Sequence, residues 1–75
     1  MTDSSKLAKI KGILALYGSN PLRSAKGRKI LARRIGNEIG MYHSRVEEFL
    51  DEMCGLDLSN VEERELFMQF VQLGL

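Results

Sequence analysis

Apolar positions recur along this chain at intervals of three and four, the spacing of helices rather than strands. The first stripe is Leu7, Ile10, Ile13, Leu14 and Tyr17. Ser4 or Ser5 stands just ahead of it, with a hydroxyl able to accept from an unpaired backbone N–H, so a helix is expected over residues 5–17. Lys6, Lys9 and Lys11 fall largely off the stripe and read as solvated. Gly18 is expected to stop this helix, and Ser19-Asn20-Pro21 to turn the chain, because the proline ring disfavours helical geometry at Asn20. Near the other end Leu66, Phe67, Phe70 and Val71 make an apolar face. Ser59 and Glu62 precede it in the pattern of a capping box, which predicts a helix over residues 60–72. Its large side chains either complete the core or form a dimer seam, which a small chain with few aromatics needs.

The middle stripe decides the most. Leu31, Ile35, Ile39, Tyr42, Val46, Phe49 and Met53 follow in steps of 4, 4, 3, 4, 3 and 4, and Leu50 joins them. Such steps fit one unbroken helix, yet Gly36 and Gly40 fall inside it, each costing about 1 kcal/mol relative to alanine in a helix interior. A break at Gly40 gives two crossed helices. The first then ends on a residue with positive φ, Gly36 supplies the small residue where the second crosses over it, and Ile35, Ile39, Val46, Phe49 and Leu50 lock the angle. Without a break, residues 25–54 form one long rod with a coiled-coil-like seam.

The stretch Ala32-Arg-Arg-Ile-Gly-Asn-Glu-Ile-Gly-Met-Tyr-His-Ser-Arg-Val-Glu-Glu-Phe-Leu-Asp51 resembles the helix-turn-helix of small phage-type repressors and related regulators. The resemblance covers about twenty residues of the chain and is one of pattern. Carried over by position, it places Tyr42, His43, Ser44 and Arg45 in the turn and at the start of the helix that reads base edges. Glu47 and Glu48 come further along that helix and depart from expectation. A glutamate can accept from cytosine N4, but carboxylates repel phosphates.

Composition sets the scale. The chain has 75 residues and a mass of 8.5 kDa, with 44% hydrophobic and 28% charged residues. These values fit one single helical domain spanning 1–75, an all-α bundle of three to four helices with a candidate helix-turn-helix. No apolar run reaches the ~20 residues of a membrane span. The opening Met-Thr-Asp-Ser-Ser-Lys lacks the build of a secretory signal, and the lone Cys54 cannot form an internal disulfide. A soluble, cytoplasmic protein without membrane contact is expected.

The net charge of +1 conceals a division. Residues 1–34 hold nine bases against Asp3 alone, a balance of +8, whereas residues 35–75 hold Arg45 and Arg64 against nine acids, a balance of −7. Either the halves neutralise each other on folding or one face meets a charged partner. Lys26, Arg28, Lys29, Arg33 and Arg34 crowd the start of the middle segment, where positive charge opposes the helix dipole, so local helix stability does not account for them. Ser24 and Gly27 beside them offer backbone N–H groups to an anion, although the phosphate-loop pattern is not met.

Chemistry has thin support. His43 reads as an exposed turn residue and Cys54 as a small buried hydrophobe. The two lie eleven residues apart, about three helical turns. Two soft ligands do not make a structural zinc site, and carboxylates spaced as Glu47/Asp51 and Glu48/Glu52 are commonplace on solvated helices. No enzymatic activity and no cofactor or metal are expected. Two functions stay open. One is a dimeric transcription regulator that binds double-stranded DNA, with Lys26, Arg28, Lys29 and Arg33 on phosphates and Tyr42, His43, Ser44 and Arg45 at base edges. The other is a helical protein–protein interaction module (adaptor, inhibitor or assembly factor) built on one long central helix and meeting an acidic protein or a second copy. RNA is less well served, since Tyr17 and Tyr42 alone offer stacking surfaces.

Overall fold

The computed structural model describes residues 3–17 and 19–75. Among them are four α-helices and no strand: α1 (Ser4–Leu14), α2 (Ala25–Ile39), α3 (His43–Glu52) and α4 (Val61–Gly74). A 3₁₀ turn at Pro21–Arg23 lies between α1 and α2. The architecture is therefore the small all-α bundle that the stripes predict. Ile10 and Leu14 of α1, Leu22 of the 3₁₀ turn, Leu31 and Ile35 of α2, Val46 and Leu50 of α3, and Phe67 and Val71 of α4 are buried in one cluster. Each such side chain contributes about 1.5–3 kcal/mol by leaving water. Phe49 meets Phe67 edge-on, with ring centroids 6.1 Å apart. Helix α2 is central: it packs most extensively on α3 and also against α1 and the 3₁₀ turn, while α4 packs on α1.

The central segment is two helices, not one rod. Helix α2 ends at Ile39, and Gly40 adopts φ 69°, ψ 38°, the sole positive φ among the described residues. The Met41 N–H then donates to the Gly36 carbonyl at 3.0 Å, the six-to-one bond that closes a helix end through a left-handed glycine. Helix α3 starts at His43. This overturns the long central helix on which the interaction-module alternative was built. Tyr42, which the spacing placed in the apolar stripe, sits in the turn and is 85% exposed.

The other helix ends differ from expectation by a residue or more. Helix α1 is capped by Asp3, whose carboxylate accepts from Lys6 N at 2.8 Å, and Ser4 and Ser5 lie inside the helix. Asp and Ser are near-equal caps, but the carboxylate also suits the positive end of the dipole. The helix stops at Leu14 rather than at Tyr17. Leu16 N and Tyr17 N donate to Ile13 and Leu14, so the chain tightens into three-residue turns there. The expected stop at Gly18 lies outside the described residues. Asn20 is extended, as its place before proline requires, and its side chain accepts from Leu22 N and donates to the Leu56 carbonyl. Cys54, expected buried, is exposed.

Helix α4 is capped by Asn60, whose side chain accepts from Glu63 N at 3.1 Å. The Ser59–Glu62 box does not form, because the Ser59 hydroxyl donates to Asp57 Oδ1 at 2.6 Å and its N–H donates to the same atom at 3.0 Å. That hydroxyl, then that N–H, hold the Asp57 carboxyl below its ordinary value of 3.8, and Arg23 adds a smaller pull in the same direction. A lowered pKa in the folded state means that the contact stabilises the loop above the ordinary value and is lost as pH falls through the lowered one. The Ser59 amide resonance is accordingly expected to titrate with a midpoint below 3.8, and a Ser59→Ala variant to return the Asp57 midpoint toward that value.

Candidate nucleic-acid interface

Two neighbouring surfaces make up the candidate site. The first is the outer face of α2. Lys26, Lys29 and Arg33 fall on one side of it, at spacings of three and four, with Arg34 and Asn37 alongside, and all five are exposed. Arg28 points elsewhere. Its Nε donates to Asp51 Oδ1 at 2.8 Å, and its guanidinium also donates to the Leu22 carbonyl at 2.8 Å. This tie joins the first turn of α2 to the last turn of α3. Among the described residues it is the one ion pair within 4.0 Å, so contact between opposite charges leaves most of the basic cluster facing solvent. Ser24 and Gly27 are also occupied: the Ser24 hydroxyl accepts from Gly27 N at 3.0 Å, and a Cβ on Gly27 would lie 2.4 Å from the Pro21 carbonyl oxygen. The start of α2 is thus packed against the 3₁₀ turn rather than open to an anion.

The second surface is the turn and the first turn of α3. The two helices approach so closely at Gly36 that a Cβ there would lie 2.8 Å from Met41 O and 2.9 Å from His43 Cδ2. His43 Nε2 pairs with Asn37 Oδ1 at 3.0 Å. This bond ties the imidazole to α2. Tyr42, His43, Ser44 and Arg45 are all exposed. No side chain caps α3, and the Tyr42 carbonyl takes the Arg45 N–H at 3.2 Å, so the His43 and Ser44 N–H groups are the ones left for an anion. Arg45 sits at this positive end without an acidic partner within 4.0 Å among the described residues.

Acids limit the surface. Arg45, Glu48 and Glu52 share the outer side of α3 at spacings of three and four, and both glutamates are exposed, while Glu47 is half-buried. An anion meets favourable groups only over the first turn of this helix. Of the residues singled out from the sequence, the fold brings Tyr42, His43, Ser44 and Arg45 together at one end of α3 and sets Lys26, Lys29 and Arg33 along α2. It removes Arg28 to an internal tie. Asn37, which anchors His43 to α2, carried no signal of its own in the sequence. Its partner lies six residues on, beyond the helix end, and only the crossing brings the two together.

Among the described residues no three His, Cys, Asp or Glu side chains gather as metal ligands would, and no helix is long and apolar enough to cross a membrane. Compared with known proteins, the chain matches no family model, no curated protein and no solved structure.

Proposed function

We propose that the chain is a small DNA-binding transcription regulator, acting as a homodimer, that offers the first turn of α3 to the major groove and the outer face of α2 to the sugar–phosphate backbone. One observation carries this. A left-handed Gly40 ends α2, and α3 crosses it at Gly36, the arrangement by which a short helix is held out from its domain for a duplex. The solvent-facing Lys26, Lys29 and Arg33 supply sequence-independent attraction. Tyr42, Ser44 and Arg45 supply donors and an aromatic edge at the exposed start of α3. His43 helps by keeping that end against Asn37.

An NMR titration with a generic duplex at low salt tests it. Shifts at Met41–Arg45 are expected together with shifts on α2, whereas shifts confined to 26–34 mean charge attraction without groove contact and sink the reading. Arg33→Ala is expected to weaken duplex binding about five- to tenfold at ~0.1 M salt and to lower the log–log salt slope by about 1. Arg45→Ala is expected to weaken it comparably. Fluorescence anisotropy across a salt series measures both, and unchanged binding in the pair of variants removes these roles.

A second reading, a protein-interaction module, rests on the same solvent-facing Lys26, Lys29 and Arg33, with Glu48 and Glu52 keeping a phosphate backbone off the outer side of α3. In that case an acidic protein docks on Lys26, Lys29 and Arg33 and leaves Tyr42–Arg45 unperturbed, which the same titration with an acidic peptide distinguishes.

A further inference from the structure

The C-terminal half of α4 is apolar on two opposite sides. Phe67, Met68 and Val71 are buried in the core. Leu66, Phe70 and Leu73 follow at spacings of four and three on the opposite side and are 40%, 38% and 72% exposed. Gln69 and Gln72 make an exposed polar edge between these sides; an apolar side of a helix is ordinarily covered, and within one copy the second one is not.

Charge indicates what covers it. A two-fold pair lays the same patch of each copy on the other, so a patch with net charge repels itself. The exposed sides of the other three helices carry net charge: Lys9 and Lys11 on α1, Lys26, Lys29 and Arg33 on α2, and Glu48 and Glu52 against the single Arg45 on α3. Residues 66–75 contain no ionisable side chain. If two copies of α4 cross antiparallel at Phe70, Glu62, Glu63 and Glu65 of each fall outside the contact, beyond the other's apolar half. We infer that the Leu66–Phe70–Leu73 ridge is the seam of a two-fold homodimer that is weak in free solution and completed when two copies occupy one duplex.

The weakness follows from area. The three side chains offer on the order of 300 Å² per copy, against about 800 Å² per partner in a stable complex. Two copies on adjacent half-sites meet at an effective concentration of roughly millimolar, which closes the gap. The chain measures 24 × 23 × 20 Å between Cα extremes, so a pair joined at α4 is of the size that spans two half-sites ~34 Å apart. The seam itself stands on the ridge and the charges; its completion on a duplex rests on the DNA-binding reading above.

Sedimentation velocity on the full chain without DNA, from about 10 µM to about 1 mM, tests the seam. The average mass is expected to rise from 8.5 kDa toward twice that value. Leu73→Glu, at an exposed position that the fold does not need, is expected to raise the dimer Kd at least ~tenfold, and Phe70→Glu to do the same. Because the seam is apolar, raising salt to ~0.5 M leaves dimerisation intact while weakening any duplex binding. A mass fixed at 8.5 kDa up to about 1 mM, as when the ridge serves a different protein, overturns the seam. So does a Leu73→Glu chain that dimerises like the wild type, or dissociation by salt. Generic duplexes of about 12 and 24 base pairs test the rest. The wild type is expected to bind the longer one cooperatively, and Leu73→Glu to lose cooperativity while keeping its affinity for the shorter one. Self-association without binding to either duplex overturns the DNA half and leaves the seam standing.

Discussion

Gly36→Val is expected to lower the stability of the chain by about 3 kcal/mol and its melting temperature by roughly 15 °C. The first added carbon alone would sit 2.8 Å from the Met41 carbonyl oxygen and 2.9 Å from His43 Cδ2. The imidazole can rotate away at the expense of its bond to Asn37, but the Met41 carbonyl is less free, because the backbone on its other side is tied through the Met41 N–H to the Gly36 carbonyl. Valine gains a few tenths of a kcal/mol in helix propensity over glycine, far too little to offset the overlap. Gly40→Ala is the informative comparison. No heavy atom lies within 4 Å of a Cβ there, so its penalty comes from the left-handed backbone alone, about 1–2 kcal/mol, and Gly40→Asn should cost less. Urea unfolding of the three variants separates steric from conformational cost. Equal midpoints for Gly36→Val and the wild type mean that α3 does not cross α2 where it is placed. A Gly36→Val chain that still folds is expected to bind a duplex more weakly than Gly40→Asn, since it must tilt α3 to relieve the overlap.

The break between α2 and α3 shows what a sequence can and cannot disclose. Ile39 and Val46 are seven residues apart, which is two helical turns, so the apolar period passes through the turn as though it were absent. Glycine carried the only discriminating signal. A glycine costs stability inside a helix but suits its left-handed end, and of the two glycines Gly40 takes the end while Gly36 is held inside by the close crossing. Tyr42 kept the period while lying in the turn, and spacing has no means of detecting that. The caps were legible as clusters and not as residues. Asp3 stands beside Ser4 and Ser5, Asn60 beside Ser59, and the choice at α4 depends on Asp57 engaging the Ser59 hydroxyl. Arg28 was indistinguishable from Lys26, Lys29 and Arg33, because its partner Asp51 is 23 positions away and only the crossing brings it near. The apolar residues of α4 were visible, but which of them faced inward depended on where α1 packs.

That division within the basic cluster has a measurable consequence. Lys29→Glu together with Arg33→Glu is expected to weaken duplex binding on the order of a hundredfold at ~0.1 M salt and to reduce the salt slope by about 2, with no loss of thermal stability. Both side chains are exposed, and neither has an acidic partner within 4.0 Å among the described residues. Removing them therefore leaves no internal group unsatisfied. Arg28→Ala is expected to behave in the opposite way. It strips Asp51 and the Leu22 carbonyl of their donor, loosens the join between the start of α2 and the end of α3, and costs about 1–2 kcal/mol, while changing the salt slope little. Melting curves and anisotropy titrations on the same two proteins decide the matter. If the double reversal binds as tightly as the wild type, the outer face of α2 does not lie on phosphates. If Arg28→Ala alone flattens the salt slope, the Asp51 tie opens on binding and Arg28 joins the contact surface. An acidic protein on the same face would also be lost in the double reversal, but it would tolerate Arg45→Ala. A duplex would not, because Arg45 stands at the uncapped end of α3, where a phosphate or a base edge is the group with most to gain from it.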